Sequence, residues 1–137
     1  MIVYQCEDSL ESIFTAIYNA YEEKRNHADT KISLDGEWFL FAEYLTVKID
    51  EYKVKKVINT LMKTFGETDY MRLCLALASP DTEKAQAVYQ TVVHGLNSRC
   101  GIGHLFDNLA NDWVRYAFKL ARAAGNEKAS SFGICKV

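Results

Sequence analysis

DNLANDWVRYAFKLARAAGNEKASSFGICKV, residues 107–137, is the stretch that decides the fold. From Trp113 onward its apolar residues fall at Trp113, Val114, Ala117, Phe118, Leu120, Ala121 and Ala124. Residues three and four apart share one side of a helix, so this spacing predicts a long helix with a broad buried face. Asp107, Asn108 and Asn111 are candidate caps, because each has a side-chain oxygen that can accept an orphan amide of the first turn. Gly125 is placed to close the helix in the left-handed conformation that a Cβ resists. FGICKV, residues 132–137, then reads as a short strand. Arg115, Lys119 and Arg122 step along the exposed face at spacings of four and three. Cations in that pattern either sit in water near the negative helix end or form a ridge that can follow phosphates.

Upstream of this stretch the same periodicity recurs. Leu10, Ile13, Phe14, Ile17, Tyr18 and Tyr21 make a helical stripe, with Asp8 and Glu11 spaced as a capping box at its start. Val54, Val57, Ile58, Leu61, Met62 and Phe65 make a second stripe, capped by Asp50 and stopped by Gly66. Tyr70, Leu73, Cys74 and Leu77 predict a third helix, starting near Thr68 or Asp69. Ser79-Pro80 ends it and starts a fourth, whose buried face is Ala85, Val88, Tyr89, Val92, Val93 and Leu96. Residues 2–6 are β-prone, and Leu45, Val47 and Ile49 alternate with Thr46 and Lys48 as in a strand with one wet face. Residues 26–36 read as a polar loop. The expected fold is a single helix-rich α+β domain over 1–137, with strands near 2–6, 44–49 and 132–137 packed on about five helices. A ladder between the first two strands separates this from an all-α bundle with extended arms. A chain that stops on a strand with no polar tail also suggests the N-terminal part of a longer protein.

Hydrophobic residues at 49% and charged residues at 25% suit a water-soluble core-forming domain, and no apolar run is long enough to span a bilayer. Glu7, Asp8 and Glu11 interrupt the start where a secretory signal would need an apolar core, so the cytoplasm is the expected location and no membrane is involved. Cys6, Cys74, Cys100 and Cys135 are widely spaced without a CxxC pair, which favours buried free thiols. The net charge of −2 excludes a generally basic nucleic-acid binder. The acidic side chains nevertheless gather before Lys53 and the basic ones after it, which leaves a basic half.

Few residue sets point to chemistry. His94, Cys100 and His104, with Asp107 nearby, could supply metal ligands, but their spacing fits no common zinc site, and no metal and no cofactor are expected. The same residues lack an orienting third group for a Cys–His nucleophile. Gly101-Ile102-Gly103 lacks the rest of a dinucleotide fingerprint, and no Walker run occurs. Catalysis by this chain alone is therefore not expected. An enzyme would need convergence such as Glu127, Arg122 and His104 within reach of one another. Lys53, Lys56 and Lys63 partly share one side of the second helix and, with Arg115, Lys119 and Arg122, make the plausible phosphate-facing set. Of these, Arg115, Lys119, Arg122, Lys56 and Lys63 are the candidate site residues. Trp38-Phe39-Leu40-Phe41 predicts a segment buried from both sides; the alternative is an exposed partner-binding patch through Trp38, Phe39 and Phe41.

Three stretches carry a family resemblance: YQCEDSLESIFTAIYNAY (4–21), LFAEYLTVKIDEYKVKKV (40–57) and the segment 111–137, in which Leu120, Arg122, Gly125 and Glu127 precede the expected strand. In these the chain resembles the bacterial "probable DNA metabolism" proteins, a domain family of unknown function. The resemblance implies an accessory role in DNA modification or repair. It also implies DNA, a radical S-adenosylmethionine protein or a uracil-DNA glycosylase-like protein as partners. Ala129-Ser130 stand where that family often has a His-Arg pair. A protein-interaction adaptor that never touches nucleic acid is the alternative.

Overall fold

A computed structural model describes residues 1–34, 36 and 39–132. Within them lie three strands, β1 (Ile2–Gln5), β2 (Thr30–Ser33) and β3 (Glu43–Thr46), and five α-helices. The helices are α1 (Leu10–Glu22), α2 (Glu51–Phe65), α3 (Glu67–Leu77), α4 (Lys84–Ser98) and α5 (Asp112–Phe132). This is the expected helix-rich α+β domain. The sheet runs β2-β1-β3 and both pairings are parallel. The expected ladder between the first strand and the segment near 44–49 is present, from Ile2 opposite Glu43 to Gln5 opposite Thr46. Val3 and Tyr4 point to opposite faces of β1 and are both buried, so the central strand is covered on both sides. Parallel neighbours need a crossover, and α1 supplies it between β1 and β2.

The third strand lies where a loop was expected. Residues 26–36 hold a 3-10 turn at His27–Asp29 and then β2. Ile32 is the one large apolar residue in β2, so no alternation marked it. Its backbone is specified instead from α4. Gln86 Oε1 accepts the Ile32 N–H at 2.9 Å, and Gln86 Nε2 lies 3.5 Å from the Thr30 carbonyl oxygen. One turn on, Gln90 Nε2 donates to the His27 carbonyl at 2.9 Å.

Three helix ends also differ from expectation. Ser9, not Asp8, caps α1: its extended backbone lets its hydroxyl accept the Ser12 N–H at 3.1 Å. Asp8 turns instead to Lys84, at 2.7 Å. The fourth helix begins at Lys84 rather than at Pro80, because the side chains of Ser79 and Asp81 accept the amides of Asp81 and Glu83 and hold a turn there. Of the three candidates for α5, Asn111 is the cap, accepting from Trp113 and Val114. Gly125 does not end that helix, which continues to Phe132. Phe132 is thus helical, and the rest of the expected strand, 133–137, lies outside the described residues.

α5 packs on α3 and α4, and α1 on α2. Gly95 lets α4 close on the core, since a Cβ there would come within 2.4 Å of Leu105 Cδ1 and 2.8 Å of Phe65 Cε1. Asp69 is fully buried on α3. Its carboxylate accepts the Leu105 N–H at 3.0 Å and Arg72 Nη1 at 2.9 Å, which fastens the segment between α4 and α5 to α3. Lys84, 3% exposed, donates to the Ser79 carbonyl as well as pairing with Asp8.

Candidate functional site

The apolar stripe of α5 turns inward, with Val114, Ala117, Ala121 and Ala124 buried, and this leaves Arg115, Lys119 and Arg122 exposed along one side. Arg115 is already engaged: Nη2 lies 2.7 Å from Asp112 and Nη1 donates to the Leu109 carbonyl at 3.0 Å. Arg122 lies over the Phe118 ring, 5.9 Å from its centre. It also lines a groove of about 210 Å³ between α3 and α5 with Arg72, Leu75, Phe118 and Ala121. Two guanidinium groups therefore border one apolar-floored groove. Arg72 was not among the sequence candidates, because a single arginine on α3 carries no pattern. Only the packing of α3 on α5 brings it to Arg122.

Lys56 and Lys63 do not join this set. They stand exposed on α2, and α2 packs on α1 and α3. Lys56 lines a separate cavity between α1, α2 and α4. The five sequence candidates thus split into an α5 group and an α2 group.

The segment before β3 overturns the burial expected for it. Leu40 is 84% and Phe41 93% exposed. Phe41 also has φ of 65°, a region that side chains with a Cβ seldom occupy. Phe39 is half-buried, with Lys31 Nζ 4.7 Å from its ring centre. Trp38 lies outside the described residues.

His94, Cys100, His104 and Asp107 do come together, lining one cavity of about 400 Å³ with Ser98 and Asn108. Their contacts are not those of a ligand set. His104 Nδ1 is 2.6 Å from Asp107, both side chains exposed, and His94 Nδ1 faces Asn111 Nδ2 at 3.4 Å. Among the described residues no group of three or more His, Cys, Asp or Glu could hold a metal ion. Burial pushes the Cys100 thiol above its ordinary value, which disfavours the thiolate a nucleophile needs. Arg122 and His104 line different cavities, so the convergence an enzyme would require is not formed between them; the Glu127 side chain lies outside what is described. Cys6, Cys74 and Cys100 are free and half-buried, and burial drives Cys6 up to about 12.

The polar contacts of the tyrosines were not foreseen in the sequence, although Tyr21 and Tyr89 lie on the expected core stripes. Tyr4 donates to Glu23, and Arg25 Nε reaches the same Tyr4 oxygen at 3.1 Å. The Glu23 carboxyl is held below its ordinary range by the Tyr4 hydrogen bond first and by Arg25 next. Tyr89 hydrogen-bonds to His27 Nδ1, and the Tyr21 ring packs on the His27 ring at 4.4 Å. No helix among the described residues is long and apolar enough to cross a membrane. Compared with models of protein families, with curated proteins and with solved structures, the chain finds no match in any of the three.

Proposed function

We propose that this chain is an accessory protein in DNA modification or repair that meets nucleic acid through the exposed side of α5. The single observation behind this reading is the pairing of Arg122 with Arg72 across one groove, continued along α5 by Lys119 and Arg115. Guanidinium groups suit phosphate because their planar donors match its oxygens two at a time. The apolar floor at Leu75 and Phe118 lowers water's competition for such a contact. The likeness of segments 4–21, 40–57 and 111–137 to the "probable DNA metabolism" family supports the same assignment. A radical S-adenosylmethionine protein or a glycosylase-like protein would then carry the chemistry.

The test is binding to single- and double-stranded DNA across a salt series. Phosphate contacts release counterions, so affinity should fall with salt, and the slope should shrink by roughly 0.9 for each duplex contact removed. A triple Arg115→Ala, Lys119→Ala, Arg122→Ala variant should bind more weakly with a flatter slope and unchanged circular dichroism. A Lys56→Ala, Lys63→Ala double variant should bind as the wild type does. Equal binding by the triple variant would remove the α5 reading.

Leu40 and Phe41 favour a second reading, an adaptor docking on another protein. A large aromatic held outward in a disfavoured backbone region is commonly a contact residue. If DNA binding is undetectable at low salt, and a partner enzyme co-purifies with the wild type but not with Leu40→Ser, Phe41→Ser, the adaptor stands.

A further inference from the structure

A cavity of about 270 Å³ lies between α1, α2 and α4. Its walls are Ile17, Val57, Leu61 and Val92, all buried, with Leu96 and Tyr18 beside them. The side chains with polar groups in this lining are Tyr18, Tyr21, Lys56 and Thr60. Tyr21 lines it, but its hydroxyl is buried away from the cavity space and has no hydrogen-bond partner among the described residues. Leaving such a group unmatched is unfavourable by about 1–3 kcal/mol. Burial also drives it up to about 12, so it stays a neutral donor near neutral pH. Lys56 is exposed and lines the same cavity. Its ammonium sits 5.5 Å from the Tyr52 ring centre, and it makes no ion pair among the described residues. Its neighbour one turn earlier differs: Lys53 is held by Asn19 at 2.8 Å and Glu22 at 3.2 Å.

We propose that this cavity binds a small carboxylic acid with an aromatic or branched aliphatic body. The body would lie against Ile17, Val57, Leu61 and Val92, and its carboxylate would meet the unpaired Lys56. Size narrows the class. Ligand pockets commonly run from about 300 to 1,000 Å³, and this one lies just below that range, which favours a small body. Charge narrows it further, since among the described residues Lys56 is the cation lining the cavity and no carboxylate lines it. The proposal is independent of the α5 reading, because the two sites share no residue.

The experiment titrates ¹⁵N-labelled full-length chain with benzoate, 3-phenylpropionate and 4-methylpentanoate, each alongside its uncharged primary amide. Saturable shifts should appear in the millimolar range or tighter for at least one acid. They should centre on residues 17–21, 56–61 and 92–96. Lys56→Gln changes an exposed residue and should fold normally while binding that acid about tenfold more weakly, as loss of a charge-assisted contact requires. The amide should be weaker by a similar factor. Absence of saturable shifts with all three acids would overturn the proposal. So would equal binding of acid and amide, or unchanged binding by Lys56→Gln.

Discussion

Asp69 shows how much one buried side chain can decide. Both its oxygens are used, one on the Leu105 amide and one on Arg72, and the residue is fully buried. Replacement by alanine strands a buried N–H, a loss of about 1–3 kcal/mol. Asp69→Ala should therefore lower the urea midpoint clearly. Asp69→Asn keeps an acceptor for Leu105 and should lose less. Equal losses would mean that the Arg72 pair, not the amide, carries the effect. The sequence offered Asp69 only as a candidate start for a helix. Nothing in the order of residues links it to Leu105, because that contact spans two helices. Arg72 and Gln86 were hidden for the same reason.

At the scale of elements, the periodic helices were legible and the strand without periodicity was not. Val54, Val57, Leu61 and Phe65 are buried as their spacing requires, as are Ile13, Phe14 and Ile17. β2 escaped because Thr30, Lys31 and Ser33 give no alternation, and its place is set by the ladder to β1 and by Gln86 on α4. Phe39 to Phe41 misled for another reason: a run of large apolar residues has the same spelling whether it is buried or displayed. Gly125 was read by type, as a stop, yet it sits inside α5, and a Cβ there would meet Leu75 Cδ1 at 3.7 Å, an ordinary contact. Gly125→Ala should thus stabilise the domain by about 0.5–1 kcal/mol, through the backbone entropy a glycine loses in a helix. A thermal midpoint that fell would show that α5 needs glycine there. The α5 cations were legible as a row, and the groove that Arg122 shares with Arg72 was not.

For the whole molecule, His27 is a junction, since its ring touches Tyr21 of α1 and Tyr89 of α4 while its carbonyl takes Gln90. Burial lowers its pKa below the ordinary 6.5, so the unfolded chain takes up the proton first. Stability from this group is fully present above pH 6.5 and is lost as pH falls toward the lower folded value. Glu23, also depressed, acts with the same sign but in the carboxylate range, so the two windows are distinct. Urea midpoints across pH 7.5 to about 5 should decline in the wild type. In His27→Gln that part of the slope should vanish while the later acid loss remains. A wild-type midpoint constant over this range would show that the ring accepts its proton without leaving its contacts.

The contact between Gln86 and β2 has a consequence for assembly. A carboxamide carries the donor and acceptor of one peptide unit but no chain beyond them. Presented to Ile32 and Thr30, it is a counterfeit next strand one residue long, and it takes the place where a second molecule would have to dock. Sheet-to-sheet polymerisation needs two open ends per subunit. Here the β2 end is plugged at Ile32 and Thr30, and β3 is the other edge of the described sheet. A strand from a second molecule therefore finds that amide and that carbonyl already taken, and pairing through β2 is obstructed.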